Sequence, residues 1–299
     1  MASLHYVNRQ ANFRKKTLRK TTVVTLVLTA CLASAAIAQT KQEYRFTVGA
    51  NANVSISVDT QYGAISVRPG SASQIVVTAT LKSDKVEVDR QQNGNRIEIA
   101  SHLLQGADQQ TGQIDYELLI PPDATLNLRS STGPLSVERL QGDLTLEGAD
   151  AVVDIRDVNN GHVHVQTMRG PITLTNVRNG HVEIASISGD VHLKAVTGPV
   201  VRANSGSGKI FYDGDFGSGG NYKFSTHTGD IEALVPADVS ADFSAHSVLG
   251  RVQNDFPLQP KQHSRFNFEA GRSFFGTVGK AASEVVLRSF SGRIRLKQR

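Results

Sequence analysis

Four residues in two matching stretches could hold a metal ion. His162 and His164 flank Val163 in GHVHV (161–165), and His181 and Glu183 flank Val182 in GHVEI (180–184). Side chains alternate along an extended strand, so inward valines put the three imidazoles and the carboxylate outside. A stack of strands with a 19-residue step sets His181 over His162 and Glu183 over His164. Histidines and a carboxylate on neighbouring strands are a ligand set for zinc or another divalent ion. A 28-residue step would instead bring His164 and His192 together. The same residues also describe a solvated polar ladder that holds no ion, and no motif in the chain calls for a cofactor.

A second group lies in FYDGDFGSGGNYKFSTHTGD (211–230), which departs from the spacing around it. Phe211, Tyr212, Phe216 and Tyr222, with Asp213, Asp215 and Lys223, could meet a sugar or a partner chain, since insertions in repeat folds concentrate binding. Equally, the rings could plug an irregular layer. Arg202 stands where the pattern calls for an apolar residue. With Lys194 and Asp190 near in sequence, it is the nearest thing to a lyase or hydrolase cluster, although a bulge turning Val201 and Ala203 inward explains it more simply. Other chemistry finds little support. No G-x-S-x-G nucleophile elbow occurs. The Gly-Asp pairs at 142–143, 189–190 and 229–230 lack the spacing of calcium-binding repeats and suit turns. NSGSGKIFYD (204–213) lacks the first glycine and the Ser/Thr of a phosphate loop.

The elements that must position these residues are short strands. EYRFTV, NVSISVD, QIVVTATLK, NRIEIAS and QIDYELLIP alternate polar and apolar residues, and clusters of Asn, Gly, Asp and Ser separate them. From about Gly133 a unit of nine or ten residues repeats: Gly133, Gly142, Ala151, Gly161, Gly170, Gly180, Gly189, Gly198 and Gly208 each precede apolar residues at plus two and plus four, with Arg202 the one exception. Examples are Val163/Val165, Ile172/Leu174 and Ile210/Tyr212. The motif returns at Gly229 and Gly292. Glycine permits a positive φ or a close backbone approach at each corner. One unit cannot bury its own face, so units stack. The expected fold is all-β, a parallel β-solenoid or β-helix-like stack of short glycine-turn-strand repeats, with no substantial helix after the leader. Residues 39–130 form an N-terminal strand region that caps it, and 131–299 form the solenoid, with the irregular loop at 211–230 and a basic C-terminal strand. The flanks DVNNGHVHV and NVRNGHVEI favour a coil of 19 residues over one of 28.

Residues 1–38 have the layout of a secretory signal peptide: six basic residues, an apolar run and the small-x-small end Ala36-Ile37-Ala38. An uncleaved leader or a lipidated Cys31 in LTAC would instead tie the chain to a membrane. The 32 Lys and Arg exceed the 27 Asp and Glu, but the six basic residues of the leader account for the excess. What remains carries a net charge of −1, so nucleic acid is not an expected partner. Cys31 is the single cysteine, so a chain cut after Ala38 has no disulfide or thiol nucleophile.

YELLIPPDATLNLRSSTGPLSVERLQGDLTLEG (116–148) resembles the bacterial envelope proteins of the DUF4097 family, often labelled candidate adhesins. STHTGDIEALVPADVSADFSAHSVLGRVQNDFPL followed by EVVLRSFSGRIRLKQR resembles that family's C-terminal layout. The resemblance covers roughly 43 to 298, and implies a β-solenoid-like envelope protein with no established catalytic residues. His, Pro or Lys replaces the family's Asp after several glycines. The expectation is an exported, non-enzymatic protein of the periplasm or cell envelope, whose rigid surface binds an envelope protein or a surface glycan. Two other functions fit less well: a signalling accessory that grips a membrane protein through 211–230 or the basic tail, and a glycan-processing enzyme.

Overall fold

The computed structural model describes residues 39–49, 53–259 and 270–299. The leader, its cleavage point and Cys31 lie outside the described residues. Those described form strands and turns with no helix, arranged as two 12-stranded sheets. Each coil contributes one strand to each sheet. In sheet one Val153–Arg156, Ile172–Thr175, Val191–Lys194 and Ile210–Asp213 run parallel; in sheet two so do His162–Thr167, His181–Ser186 and Val200–Ser205.

The register decides the coil length. Val153 faces Ile172, Ile172 faces Val191 and Val191 faces Ile210; His162 faces His181, which faces Val200. The step is 19 residues and two strands, not 28 and three. The inward residues, such as Val163, Val165, Leu174, Val182 and Leu193, are buried between the sheets. Burying each such side chain is worth roughly 1.5–3 kcal/mol, offset by the entropy of ordering the chain.

Glycine marks the corners because backbones meet there. A Cβ on Gly208 would lie 2.0 Å from the Gly189 carbonyl oxygen, and one on Gly189 would lie 2.0 Å from that of Gly170. The same column continues through Gly229, Gly292 and Gly250. Of the two reasons glycine could be needed, close approach applies along this column. The left-handed turns fall elsewhere, on Arg139, Asp157, Asn176 and Ala195, each with φ between 51° and 57°. A serine or threonine three residues before each column glycine completes the corner. The backbone N–H of Gly189, Gly208 and Gly292 donates to the buried Oγ of Ser186, Ser205 and Ser289 at 2.8, 2.9 and 2.8 Å.

The ends depart from sequence order. At one end the strands Gln74–Leu81, Val86–Asn93, Arg96–Leu103 and Ile114–Ile120 form outer layers with antiparallel pairings. The strands Ser55–Tyr62 and Ile65–Pro69 already belong to the parallel stack, beside Thr125–Thr132 and Leu135–Glu138. The boundary between cap and stack is therefore not a point near residue 130. At the other end the chain's last strands do not cap. Glu284–Ser289 lies between Asn221–Thr226 and Ala241–Ser247, and Ile294–Gln298 lies between Ile231–Val235 and Val252–Asn254.

Ion pairs accompany that insertion. Arg293 Nη2 is 2.9 Å from Asp230, Arg295 and Lys297 reach Glu232 at 3.3 and 2.9 Å, and Arg299 pairs with Asp213. All four cations of the basic tail are thus paired, with three carboxylates between them. Partial burial pushes the Asp230 carboxyl upward, but the Arg293 backbone N–H and guanidinium outweigh it and hold the pKa below its ordinary 3.8. Lys297, against some burial, and then Arg295 hold Glu232 below 4.5.

Two expectations follow. Gly208→Ala should destabilise by about 3 kcal/mol, since a backbone oxygen cannot move aside. Ala195→Gly should stabilise by about 0.5–1 kcal/mol by relieving a left-handed alanine. Denaturant melts of the two variants check the pair, and opposite signs are required. Depressed carboxylate pKa values stabilise the fold above the ordinary values, and this stability is lost as pH falls through the folded ones. Asp230→Asn with Glu232→Gln should therefore cost about 1 kcal/mol at pH 7, given the partial exposure. The gap from the unmodified protein should close below pH 4; a gap of constant size from pH 7 to 3 would contradict the assignment.

Candidate functional site

Because inward positions are filled, side chains free for recognition stand on the outer faces and corners. On sheet two three strands build a shallow depression of about 520 Å³, lined by Arg202, Asn204, Asn221, Lys223, Glu284, Val286 and Arg288. Register explains the set. Arg202 stands beside Lys223 and Lys223 beside Val286; one column away, Asn204 stands beside Ser225 and Ser225 beside Arg288. Alternation turns each of these outward, while their neighbours Val201, Ala203, Tyr222, Phe224, Val285 and Leu287 are buried.

The charges here are unevenly compensated. Arg202 Nη1 lies 3.2 Å from Glu183 Oε1, and Asn221 Nδ2 donates to Glu284 Oε2 at 2.8 Å. Among the described residues no carboxylate lies within 4.0 Å of the Lys223 or Arg288 nitrogens. Elsewhere on the solenoid pairing is common: Arg129 with Glu147, Arg169 with Asp150, Arg156 with Asp154.

The histidine ladder borders this depression. His181 stands beside His162 and Glu183 beside His164, the register that a 19-residue step implies. His162 and His181 meet edge to face at 5.3 Å between ring centres. Their polar atoms nevertheless do not converge. His162 Nδ1 is 3.3 Å from Asp143, while Glu183 turns to Arg202 and to His181 Nε2 at 3.4 Å, and stays 4.0 Å from His164 Nδ1. Among the described residues no cluster of three or more His, Cys, Asp or Glu is placed to hold a metal. The guanidinium of Arg202 takes the carboxylate that a cation would need.

The aromatic group divides. Tyr212, Phe216 and Tyr222 are at most 3% exposed, so three rings that could have met a ligand face the core. Tyr212 stacks on Phe216 at 4.7 Å between centres, and Phe216 meets Tyr222 edge-on at 4.8 Å. The Tyr212 hydroxyl donates to the Asp215 carbonyl at 2.7 Å, and the Tyr222 hydroxyl accepts from the Gly217 N–H at 3.0 Å. Burial pushes both phenols above their ordinary pKa, so they act as neutral packing groups. The irregularity is also shorter than 211–230. Ile210–Asp213 and Asn221–Thr226 are in-register strands, and two extra residues in 214–220 raise the step to 21. Phe211 and Asp213 are half-buried on the outer face of sheet one, Asp215 is exposed at the turn, and Lys223 is on sheet two. These residues do not form one site.

Arg202 does not join Asp190 and Lys194, because Lys194 ends a strand of sheet one and Arg202 lies on sheet two. Val201 and Ala203 do point inward. The extra residue is Pro199, in the turn before the strand rather than in a bulge within it: Gly198 follows Gly180 by 18 residues, yet Val200 pairs with His181 at 19.

At the corner beyond the depression, His227 and Phe290 stack at 4.8 Å with 5° between their planes, both exposed. Met168, Ile187, Val248 and Leu249 occupy the equivalent corner on other rungs and are 40–62% exposed.

No curated protein matches the chain. Solved structures resemble it at low identity. One is a candidate adhesin from Bacteroides fragilis, 10% identical, covering 87% of this chain and 99% of its own, with a TM-score of 0.45. Another is a candidate cell adhesion protein from Clostridium sporogenes, 12% identical, covering 87% and 100%, with a TM-score of 0.30. The Toastrack DUF4097 family model matches residues 53–297, a span that takes in both sheets from the first parallel rung to the inserted last one. The chain belongs to the Toastrack DUF4097 family.

Proposed function

We propose that this is a non-enzymatic protein of the cell envelope, exported by its leader, that offers the outer face of sheet two as a rigid binding or scaffolding surface. One observation carries the reading: the interior is filled from end to end with aliphatic and aromatic side chains, whereas two uncompensated cations and two amides gather on one outer face. A parallel ladder holds such groups at fixed spacing, so binding needs little ordering of the protein. Adhesion, through a surface glycan or an envelope protein, is the activity this surface suits. An accessory that grips a membrane protein through its basic tail is a weaker reading, because Arg293, Arg295, Lys297 and Arg299 are already paired.

A photo-reactive residue at Lys223 on sheet two, with one at Thr173 on the outer face of sheet one for comparison, tests this in intact cells. Covalent adducts should form from Lys223 and be several-fold scarcer from Thr173. Adducts from Thr173 alone, or none from Lys223, would sink the proposal.

A further inference from the structure

We infer that the depression on sheet two, together with the His227–Phe290 corner, is a binding site for a linear polysaccharide bearing carboxylate groups. The inference rests on the binding-surface reading above and names the ligand class. It begins from charge. Lys223 and Arg288 stand on adjacent strands without a carboxylate partner among the described residues, and Arg202 stands beside Lys223 on the next strand. Two unpaired cations over one open hollow repel each other, and a fixed anion between them removes that cost, while Arg202, paired with Glu183, borders the hollow. An exposed guanidinium offers a carboxylate two parallel N–H donors, while the lysine supplies a compact charge.

Charge alone would suit any polyanion; the remaining groups favour a sugar. Asn204 is exposed, and Asn221 is held by Glu284, which leaves its amide oxygen and the second Glu284 oxygen to accept hydroxyls. Val286 gives the hollow an apolar floor beside Lys223. Two residues past Arg288, the stacked His227 and Phe290 rings present aromatic surface at the corner. A sugar ring offers aliphatic C–H on one face and hydroxyls at its edge, which matches apolar surface next to amides and a carboxylate. An acidic peptide would use the cations too, but it offers no row of ring hydroxyls to the Asn221 and Glu284 oxygens and no sugar C–H face to Val286 and the His227–Phe290 pair. The outer face is also open along the strand stack, so a polymer can pass through instead of ending there. Strands about 4.8 Å apart place the Lys223 and Arg288 rungs within one sugar unit of each other.

The test is a titration of the purified protein with polygalacturonate, neutral dextran and polyglutamate at low and moderate salt. Variants are Lys223→Ala with Arg288→Ala, Phe290→Ala alone, and Arg156→Ala on sheet one as a control. All sites are on the surface, and thermal melts confirm folding. Polygalacturonate should bind, weaken as salt rises, and lose at least tenfold in affinity in the double variant and at least threefold in Phe290→Ala. Arg156→Ala should bind normally, and dextran should not bind. The inference falls if polygalacturonate does not bind, if the folded double variant binds equally well, or if polyglutamate binds as tightly and Phe290→Ala changes nothing. The last result would mark an acidic-protein surface. Adducts from Lys223 in cells, combined with any of these failures, would leave the binding-surface reading standing without this ligand.

Discussion

Contact between stacked corners governs this molecule. Where one coil turns above another, a backbone carbonyl sits so near the next coil's glycine that no side chain fits, as at Gly189 and Gly208. A buried serine or threonine hydroxyl ties the same corner to the glycine N–H. Coils that meet so closely cannot slip by a residue without bringing a Cβ against a carbonyl. The constraint holds the 19-residue register, and the register in turn decides which side chains become neighbours on the outer faces.

The last coil shows the same constraint acting across a long sequence interval. Gly292 sits against the Gly229 carbonyl, and Gly250 against that of Gly292. The chain therefore returns to fill a slot between two coils laid down earlier. Carboxylates at Asp213, Asp230 and Glu232 meet the cations of the arriving strand, so its charge complements that slot. A consequence for function is that Arg288, Val286 and Glu284 join Arg202 and Lys223 on one surface. Without the insertion the hollow would lack one of its three cations and its apolar floor.

Much of this was legible in the chain. Period-two alternation announced an all-β fold, and the matching flanks around His162 and His181 pointed to a 19-residue coil. The neighbours of the histidine ladder followed from that step, whereas the turn of Glu183 toward Arg202 depends on side-chain geometry. Tyr212 occupies the inward plus-four place of its own repeat, so its burial could have been read from the pattern. Phe216 and Tyr222 could not, because the two extra residues of 214–220 decide where those rings land. The serine or threonine three places before each column glycine was visible in Thr167, Ser186, Ser205, Thr226 and Ser289, although turn serines are too common to stand out. The returning motif at Gly229 and Gly292 follows the strands Asn221–Thr226 and Glu284–Ser289, but their pairing across 63 residues lies outside the 19-residue step and is not announced by it. The depression that depends on it was therefore hidden.

The proposed function depends on a partner meeting the outer face of sheet two, completed by the inserted strand. Hydroxyl-radical footprinting of the protein alone and bound to isolated cell envelope tests this most directly, because it reads side-chain exposure at each position. Oxidation of Val286, His227 and Phe290 should fall together on binding, while His192 and Phe211 on sheet one react as before. Protection confined to His192 and Phe211, or no change on either face despite binding, would contradict it.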